Sequence, residues 1–129
     1  MPDVAEVAEL ISRLTPRCGT CVVVAIDGPS GSGKTCLSRQ LAPLLGGDVE
    51  ILHFDHVYPG WQGLATTPPV VAHDVLEPIA RGEPGRTPRW DWGADVAGDD
   101  IVVPPSDILL LDGCGSGARV IRPYLSYLV

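Results

Sequence analysis

Positive charge is scarce in this sequence. Its 129 residues include nine lysines and arginines against sixteen aspartates and glutamates, which gives a formal net charge of −7. This balance argues against a general nucleic-acid binder and against docking on an anionic membrane surface. No apolar run approaches the roughly 18 residues of a membrane span, and the acidic N-terminus lacks the pattern of an export signal. We therefore expect a cytoplasmic protein that binds neither nucleic acid nor membrane and captures any anionic ligand locally.

The sequence also lacks the residue spacing that a zinc site or a redox-active thiol pair would need. Cys18 and Cys21 form a Cys-x-x-Cys pair, but Cys36, Cys114 and the three histidines are not spaced as a second pair of zinc ligands. A thioredoxin-like pair would open a helix, whereas this pair leads into an apolar run with strand character. We expect unpaired thiols in a reducing cytosol.

Aromatic residues make up only 5% of the chain, and three of them are tryptophans. Trp61, Trp90 and Trp92 could pack in the core or form a wall on which a base stacks. Both interpretations stay open at the level of the sequence.

The segment with the clearest chemical meaning is Asp-Gly-Pro-Ser-Gly-Ser-Gly-Lys-Thr, residues 27–35, which matches the phosphate-binding loop pattern Gly-x-x-x-x-Gly-Lys-[Ser/Thr]. Its glycines let backbone amides approach a polyphosphate, and the following helix adds the positive end of its dipole. Lys34, the only lysine in the chain, would reach the β- and γ-phosphates, and Thr35 would offer its hydroxyl to Mg²⁺. The predicted nucleotide-binding residues are Gly28, Pro29, Ser30, Gly31, Ser32, Gly33, Lys34, Thr35 and Cys36.

Strand and helix patterns alternate along the rest of the chain. This alternation predicts an α/β protein with a parallel sheet, helices on both faces and a ligand site at the carboxyl ends of the strands. Pro78 is expected to bend or shorten its helix, and the Gly-, Pro- and Asp-rich segment 82–100 to be irregular. The predicted helices cover 3–15, 36–45 and 68–81, the predicted strands cover 20–26, 49–54, 107–112 and 124–129, and short strands are predicted near 87–92 and 100–103.

Acidic residues follow three of the predicted strands, at Asp27, Asp55 and Asp112. Asp112 ends an aliphatic run, which is the pattern of a Walker B element that holds Mg²⁺, usually through water. Asp55 suits a catalytic base that orients an acceptor hydroxyl and takes its proton. The alternative for Asp55 is a residue that begins a loop and caps local amides.

Four segments, in order, resemble the uridine kinase group of P-loop kinases, which includes pantothenate kinase and phosphoribulokinase relatives. They are residues 28–35, 54–58, 88–92 and 109–113. The resemblance implies a three-layer P-loop NTPase fold with strand order 2-3-1-4-5 and a mobile lid, and ATP and Mg²⁺ as ligands. It also implies residue roles: Asp55 as the base, Tyr58, Trp90 and Asp91 at the acceptor site, and Asp112 at the Walker B position.

The chain also departs from the family pattern. The family usually has Glu-Gly where this chain has Asp112-Gly113, and Tyr where it has Trp90. The ribose-gripping Phe-Asp-His-Pro segment has no counterpart in residues 60–64, and the arginine-rich lid and last strand would lie beyond residue 129. Arg119 and Arg122 are candidates for the missing lid charges, or they are solvated surface charges.

These patterns lead us to expect one P-loop kinase-like domain over residues 1–129, truncated at its C-terminus relative to the family. The expected activity is transfer of the γ-phosphate of ATP-Mg to a hydroxyl of a small molecule, with a nucleoside as the favoured acceptor. The alternative is an ATP-binding domain without turnover, or one completed by a partner. A mechanochemical or signalling NTPase is disfavoured because the chain lacks a sensor arginine and a guanine-reading motif.

Overall fold

A parallel sheet of four strands, in the order β2-β5-β1-β6, forms the centre of the protein. The computed structural model describes residues 4–27, 34–54, 57, 67–91, 96–113 and 115–128. The helices are α1 (Val4–Ser12), α2 (Lys34–Leu41), α3 (Thr67–Val71) and α4 (Glu77–Ala80), with a π-helical segment at Ala72–Leu76 and 3₁₀ turns at Ala42–Leu44 and Arg122–Tyr124. The strands are β1 (Val22–Ile26), β2 (Val49–His53), β3 (Gly85–Asp91), β4 (Val96–Val103), β5 (Ile108–Asp112) and β6 (Tyr127–Leu128).

The middle of the sheet is β5, which pairs in parallel with β1 on one side and β2 on the other. All five residues of β1 and all five of β5 are buried, as expected for strands covered on both faces. When only the parallel strands are counted, β1, β2, β5 and β6 are the first, second, third and fourth. The observed order is then 2-3-1-4, which matches the first four positions of the expected order 2-3-1-4-5. The predicted α/β fold class is therefore confirmed.

Successive side chains along each strand point to opposite faces of the sheet, so each face has its own apolar cluster. Ile108 and Leu110 of β5 belong to the cluster that contains Ile11 of α1 and Leu41 of α2. Leu109 and Leu111 of β5 belong to the opposite cluster, which contains Val71, Val75, Leu76 and Ile79. Helices thus cover both faces of the sheet, and the protein has three layers.

The helix that was predicted over 68–81 is confirmed, with a change of geometry before Pro78. Pro78 has no N–H to donate, and its ring would crowd the carbonyl four residues earlier in a regular α-helix. The chain widens instead into the π-helical segment Ala72–Leu76, where the Glu77 N–H reaches back to the Ala72 carbonyl. The extra residue per turn accommodates Pro78, and the helix continues to Ala80.

The short strands predicted near 87–92 and 100–103 are present as β3 and β4, but both begin earlier than expected, so strands occupy most of the segment 82–100 that was expected to be irregular. Strands β3 and β4 form an antiparallel pair, and their register shifts between Pro88 and Trp90. A two-stranded sheet leaves one edge of each strand without a partner, so Pro88 is tolerated despite its missing N–H. The Gly-, Pro- and Asp-rich composition led the prediction to underestimate the extent of these strands.

Cys18 and Cys21 face each other across a tight turn that precedes β1. Their backbones exchange two hydrogen bonds, with the Cys18 N–H donating over 3.3 Å and the Cys21 N–H over 3.0 Å. Both thiols are free and buried, and the Cys18 thiol donates to the Leu76 carbonyl of the π-helical segment at 3.2 Å. Burial, with a smaller effect of Cys21, raises the pKa of Cys18 from 9.0 to about 12, and burial also raises the pKa of Cys21.

Within the described ranges, no helix combines the length and the apolar character that crossing a membrane requires.

We expect the two thiols to resist alkylation by iodoacetamide at pH 8 in the folded protein, because burial blocks access and disfavours the thiolate. Peptide mapping after trypsin would follow them on the 18–34 peptide, separately from Cys36 and Cys114. Since the pKa of Cys18 is higher folded than unfolded, its contribution to stability should be lost as the pH rises from about 9 to about 12. Equal alkylation rates with and without guanidinium would contradict this account.

Candidate functional site

The carboxyl ends of three strands meet at one edge of the sheet. Asp112 is the last residue of β5, and its Cα partners are Ile26, the last residue of β1, and His53, the last residue of β2. Asp27 follows β1 directly. Two of the three predicted strand-end acids, Asp27 and Asp112, are therefore brought to the same edge, whereas Asp55 lies outside the described residues.

Asp112 is a buried carboxylate, with 2% of its residue surface exposed. Alternation along β5 places it on the same face as Ile108 and Leu110, which is the face covered by α1 and α2. The predicted Walker B acid therefore lies on the side of the sheet that carries the helix after the phosphate-binding sequence.

His53 is the polar partner of this buried acid. Its Nδ1 lies 2.9 Å from Asp112 Oδ2, and the His53 side chain is 26% exposed. An ionised carboxylate can only accept hydrogen bonds, so Nδ1 is the donor when it pairs with an ionised Asp112. One hydrogen bond uses one of the roughly four lone-pair sites of an ionised carboxylate.

Asp27 binds the turn that follows β5. Its Oδ1 accepts the Gly115 N–H at 3.1 Å and its Oδ2 accepts the Gly117 N–H at 2.9 Å. The Gly113 N–H donates to the Ile26 carbonyl at 3.2 Å. Three hydrogen bonds outside the strand ladder thus join the end of β1 to the turn after β5.

A close contact joins the end of β2 to the same turn. Gly113 has φ +144°, and a Cβ built there would lie 2.6 Å from Phe54 Cβ. Phe54 is fully buried. A glycine is therefore required at position 113, both by the backbone conformation and by the packing.

The residues on either side of the phosphate-binding sequence have the predicted structure. β1 ends at Ile26, and α2 begins at Lys34, so Thr35 and Cys36 lie in the first turn of that helix. The backbone therefore supplies a strand before the loop and a helix after it, as the pattern requires. Lys34, Thr35 and Cys36 are placed here by their backbone alone. The other predicted nucleotide-binding residues, Gly28, Pro29, Ser30, Gly31, Ser32 and Gly33, lie outside the described residues.

The predicted acceptor residues are placed only in part. Trp90 and Asp91 lie on β3, where their Cα partners are Ala97 and Val96 of β4. Tyr58 lies outside the described residues, as do Trp61 and Trp92.

The two candidate lid arginines, Arg119 and Arg122, are both exposed. Arg122 donates from Nε to the Gly117 carbonyl at 2.9 Å, so it supports the turn that Asp27 binds.

The donors at this edge suit a hard cation such as Mg²⁺, which prefers oxygen ligands and keeps several of its waters. Asp112 offers carboxylate oxygens, and Thr35 belongs to the first turn of α2, which packs on the same face of the sheet. In the part of the chain that the structure describes, no three His, Cys, Asp or Glu side chains cluster as a metal cage. The oxygen groups at this edge fit an ion that keeps part of its water shell and also binds nucleotide phosphates.

Sequence reasoning did not find the role of His53 or the amide partners of Asp27. Both depend on which strands are neighbours, because His53 and Asp112 are 59 positions apart in the chain and Asp27 is 88 positions from Gly115. The strand order implied by the resemblance places the second strand beside the Asp112 strand. That order was the one available signal for the histidine contact.

The parallel sheet and the helices on its two faces define a three-layer α/β fold, and comparison with known proteins agrees. No protein-family model matches the chain. The solved structure of a possible uridine kinase from Bacillus stearothermophilus superimposes with a TM-score of 0.77 and 21% identity, covering 97% of this chain and 77% of that chain. This likeness shows the fold, and it confirms the uridine-kinase-like P-loop fold that the motifs indicated.

A second relative is found by sequence. Cytidylate kinase from Rhodococcus jostii (strain RHA1) is 33% identical over 88 residues, which is 67% of this chain. The chain spans 36% of the length of that curated relative.

We expect Gly113→Ala to lower the free energy of unfolding by about 2–5 kcal/mol, because it combines a strained backbone with a clash against Phe54. Gly46→Ala is the matched control, since a Cβ at Gly46 would meet nothing within 4 Å, and it should change stability by less than about 1 kcal/mol. Denaturant unfolding of the two variants and the parent would measure both effects. If the two variants were equally stable, the contact with Phe54 would not constrain position 113.

Proposed function

We propose that this chain is the nucleotide-binding part of an ATP-dependent kinase that transfers the γ-phosphate of ATP-Mg to a hydroxyl of a small molecule. The observation that carries the proposal is the alignment of Asp112 with the end of β1, directly before the phosphate-binding sequence that leads into α2. A carboxylate beside a phosphate-binding loop is the arrangement that holds Mg²⁺ against the β- and γ-phosphates in P-loop enzymes.

Each group has a distinct role in the proposed reaction. The amides of residues 28–33 and the ammonium of Lys34 bind the phosphates, and the α2 dipole adds to this attraction. The Thr35 hydroxyl and, through water, Asp112 would hold Mg²⁺, which when bound would supply positive charge beside the phosphates. Asp55 orients the acceptor hydroxyl and accepts its proton.

The acceptor that we propose is a nucleoside, bound near Tyr58, Trp90 and Asp91. The name of the structural neighbour refers to uridine and that of the sequence relative to cytidylate, which supports a pyrimidine compound. A screen of uridine, cytidine and their monophosphates, with pantothenate and sugars as negative controls, would identify the acceptor.

An ATP-binding domain without turnover is the second candidate. This candidate requires only the groups that bind nucleotide and metal, whereas the kinase also requires Asp55 and an acceptor site. ATP binding without transfer to any acceptor in the screen would support this candidate over the kinase.

We expect Lys34→Ala to weaken ATP binding by at least about 100-fold, because a charge-assisted contact to the phosphates is lost and no second lysine can replace it. Arg39→Ala removes an exposed charge from the last turn of the same helix and should leave the affinity within about twofold. Calorimetric titration with ATP-Mg would measure both. Unchanged affinity in the Lys34 variant would refute the phosphate-binding assignment.

We expect Asp55→Asn to retain ATP binding and to lower kcat by about 10²–10⁴-fold, because the amide cannot accept the acceptor's proton. Asp99→Asn, which removes an exposed carboxylate from β4, is the control and should transfer phosphate at the parental rate. Single-turnover transfer from labelled ATP would separate chemistry from binding. A parental rate in the Asp55 variant would show that another group is the base.

A further inference from the structure

We propose that His53 is a positioning residue that holds the Asp112 carboxylate in the orientation required for water-mediated Mg²⁺ binding. This inference rests on the proposed function, since it concerns the metal at that same nucleotide site. It adds a residue that neither the motifs nor the relatives' names assign.

The first step is the geometry of the pair. His53 and Asp112 are Cα partners at the last position of the β2–β5 ladder, so their side chains project from the same face of the sheet. The 2.9 Å contact between Nδ1 and Oδ2 is short enough for a charge-assisted hydrogen bond. It fixes one carboxylate oxygen and leaves the other oriented by the planar geometry of the group.

The second step is burial. Asp112 is 2% exposed and His53 26% exposed, so water competes poorly for the carboxylate oxygen that the imidazole contacts. The chain contains a contact of nearly the same length between His73 and Asp74, at 2.8 Å, but the His73 side chain is 79% exposed. An exposed pair contributes little. The comparison indicates that burial, rather than distance, distinguishes the His53 contact.

The third step is the consequence for a metal ligand. Groups that hydrogen-bond to a ligating carboxylate orient it, and their loss typically reduces metal affinity by 10- to 100-fold. A metal-bound water needs the free lone pairs of Asp112 in a fixed direction. Without the imidazole, the carboxylate could rotate about its side-chain bonds, and part of the ordering cost would fall on Mg²⁺ binding.

The experiment compares His53→Leu with His53→Asn. Leucine removes the donor, whereas the asparagine amide nitrogen can occupy the place of Nδ1 and donate to Asp112. The readout is equilibrium binding of ATP at increasing Mg²⁺, together with binding in EDTA. We expect His53→Leu to raise the half-saturating Mg²⁺ concentration about 10-fold or more, and His53→Asn to restore most of the loss, with ATP affinity in EDTA equal in all variants.

Two further variants complete the test. His73→Leu breaks the exposed pair and should leave the Mg²⁺ dependence at its parental value. His53→Phe keeps a planar ring without a hydrogen-bond donor, so it replaces His53→Leu as the donor-free variant if the leucine protein fails to fold. Thermal unfolding would establish which variants are folded.

The outcomes separate the two proposals. A parent that binds ATP-Mg, with a donor-free variant of unchanged Mg²⁺ dependence, would overturn the role of His53 and leave the proposed function standing. Equal losses in the donor-free and asparagine variants would show that the ring fills space rather than donates, which also overturns it. A parent that binds no nucleotide would overturn both.

Discussion

The in-register pairing of β5 between β1 and β2 is the constraint on which the site depends. The residues from Ile108 to Leu111 are aliphatic and buried on both faces, so their apolar pattern alone would tolerate a slip of one residue. The polar ends of the strand supply the missing specificity. At one end Asp107 accepts the Val22 N–H through its carbonyl and the Asp48 N–H through its carboxylate at 3.1 Å. At the other end, the Asp112 carboxylate lies 2.9 Å from Nδ1 of His53.

This register determines which groups lie at the edge of the sheet where β1, β2 and β5 end. A slip of one residue would carry Asp112 to the opposite face, away from α2, and would separate it from His53. Contacts outside the ladder resist such a shift, because Asp27 binds the amides of Gly115 and Gly117 and Phe54 packs directly on Gly113. The ends of the three neighbouring strands are therefore locked to one another, which favours a preorganised site.

The sequence was sufficient for features that local patterns encode. The aliphatic runs predicted β1 and β5, the helical spacing predicted α1, and the position of Asp112 after β5 predicted a strand-end acid. It was insufficient where pairing is non-local. The His53 contact required knowledge of strand order. The glycines, prolines and aspartates of β3 and β4 also made the two strands look shorter than they are. The predicted roles of Asp55 and residues 28–33 remain predictions.

The shorter acid at position 112 and the histidine at position 53 form one arrangement. A glutamate, one methylene longer, would carry its carboxylate farther from the β5 backbone and past the neighbouring residue of β2. Aspartate keeps its oxygens near the strand, within 2.9 Å of the imidazole that the ladder places opposite it. The departure from the family's Glu-Gly pattern therefore brings the acid to a partner on the adjacent strand. In the proposed Mg²⁺ site, the shorter reach of Asp112 would be offset by the hydrogen bond that orients its carboxylate, and water would bridge the remaining distance.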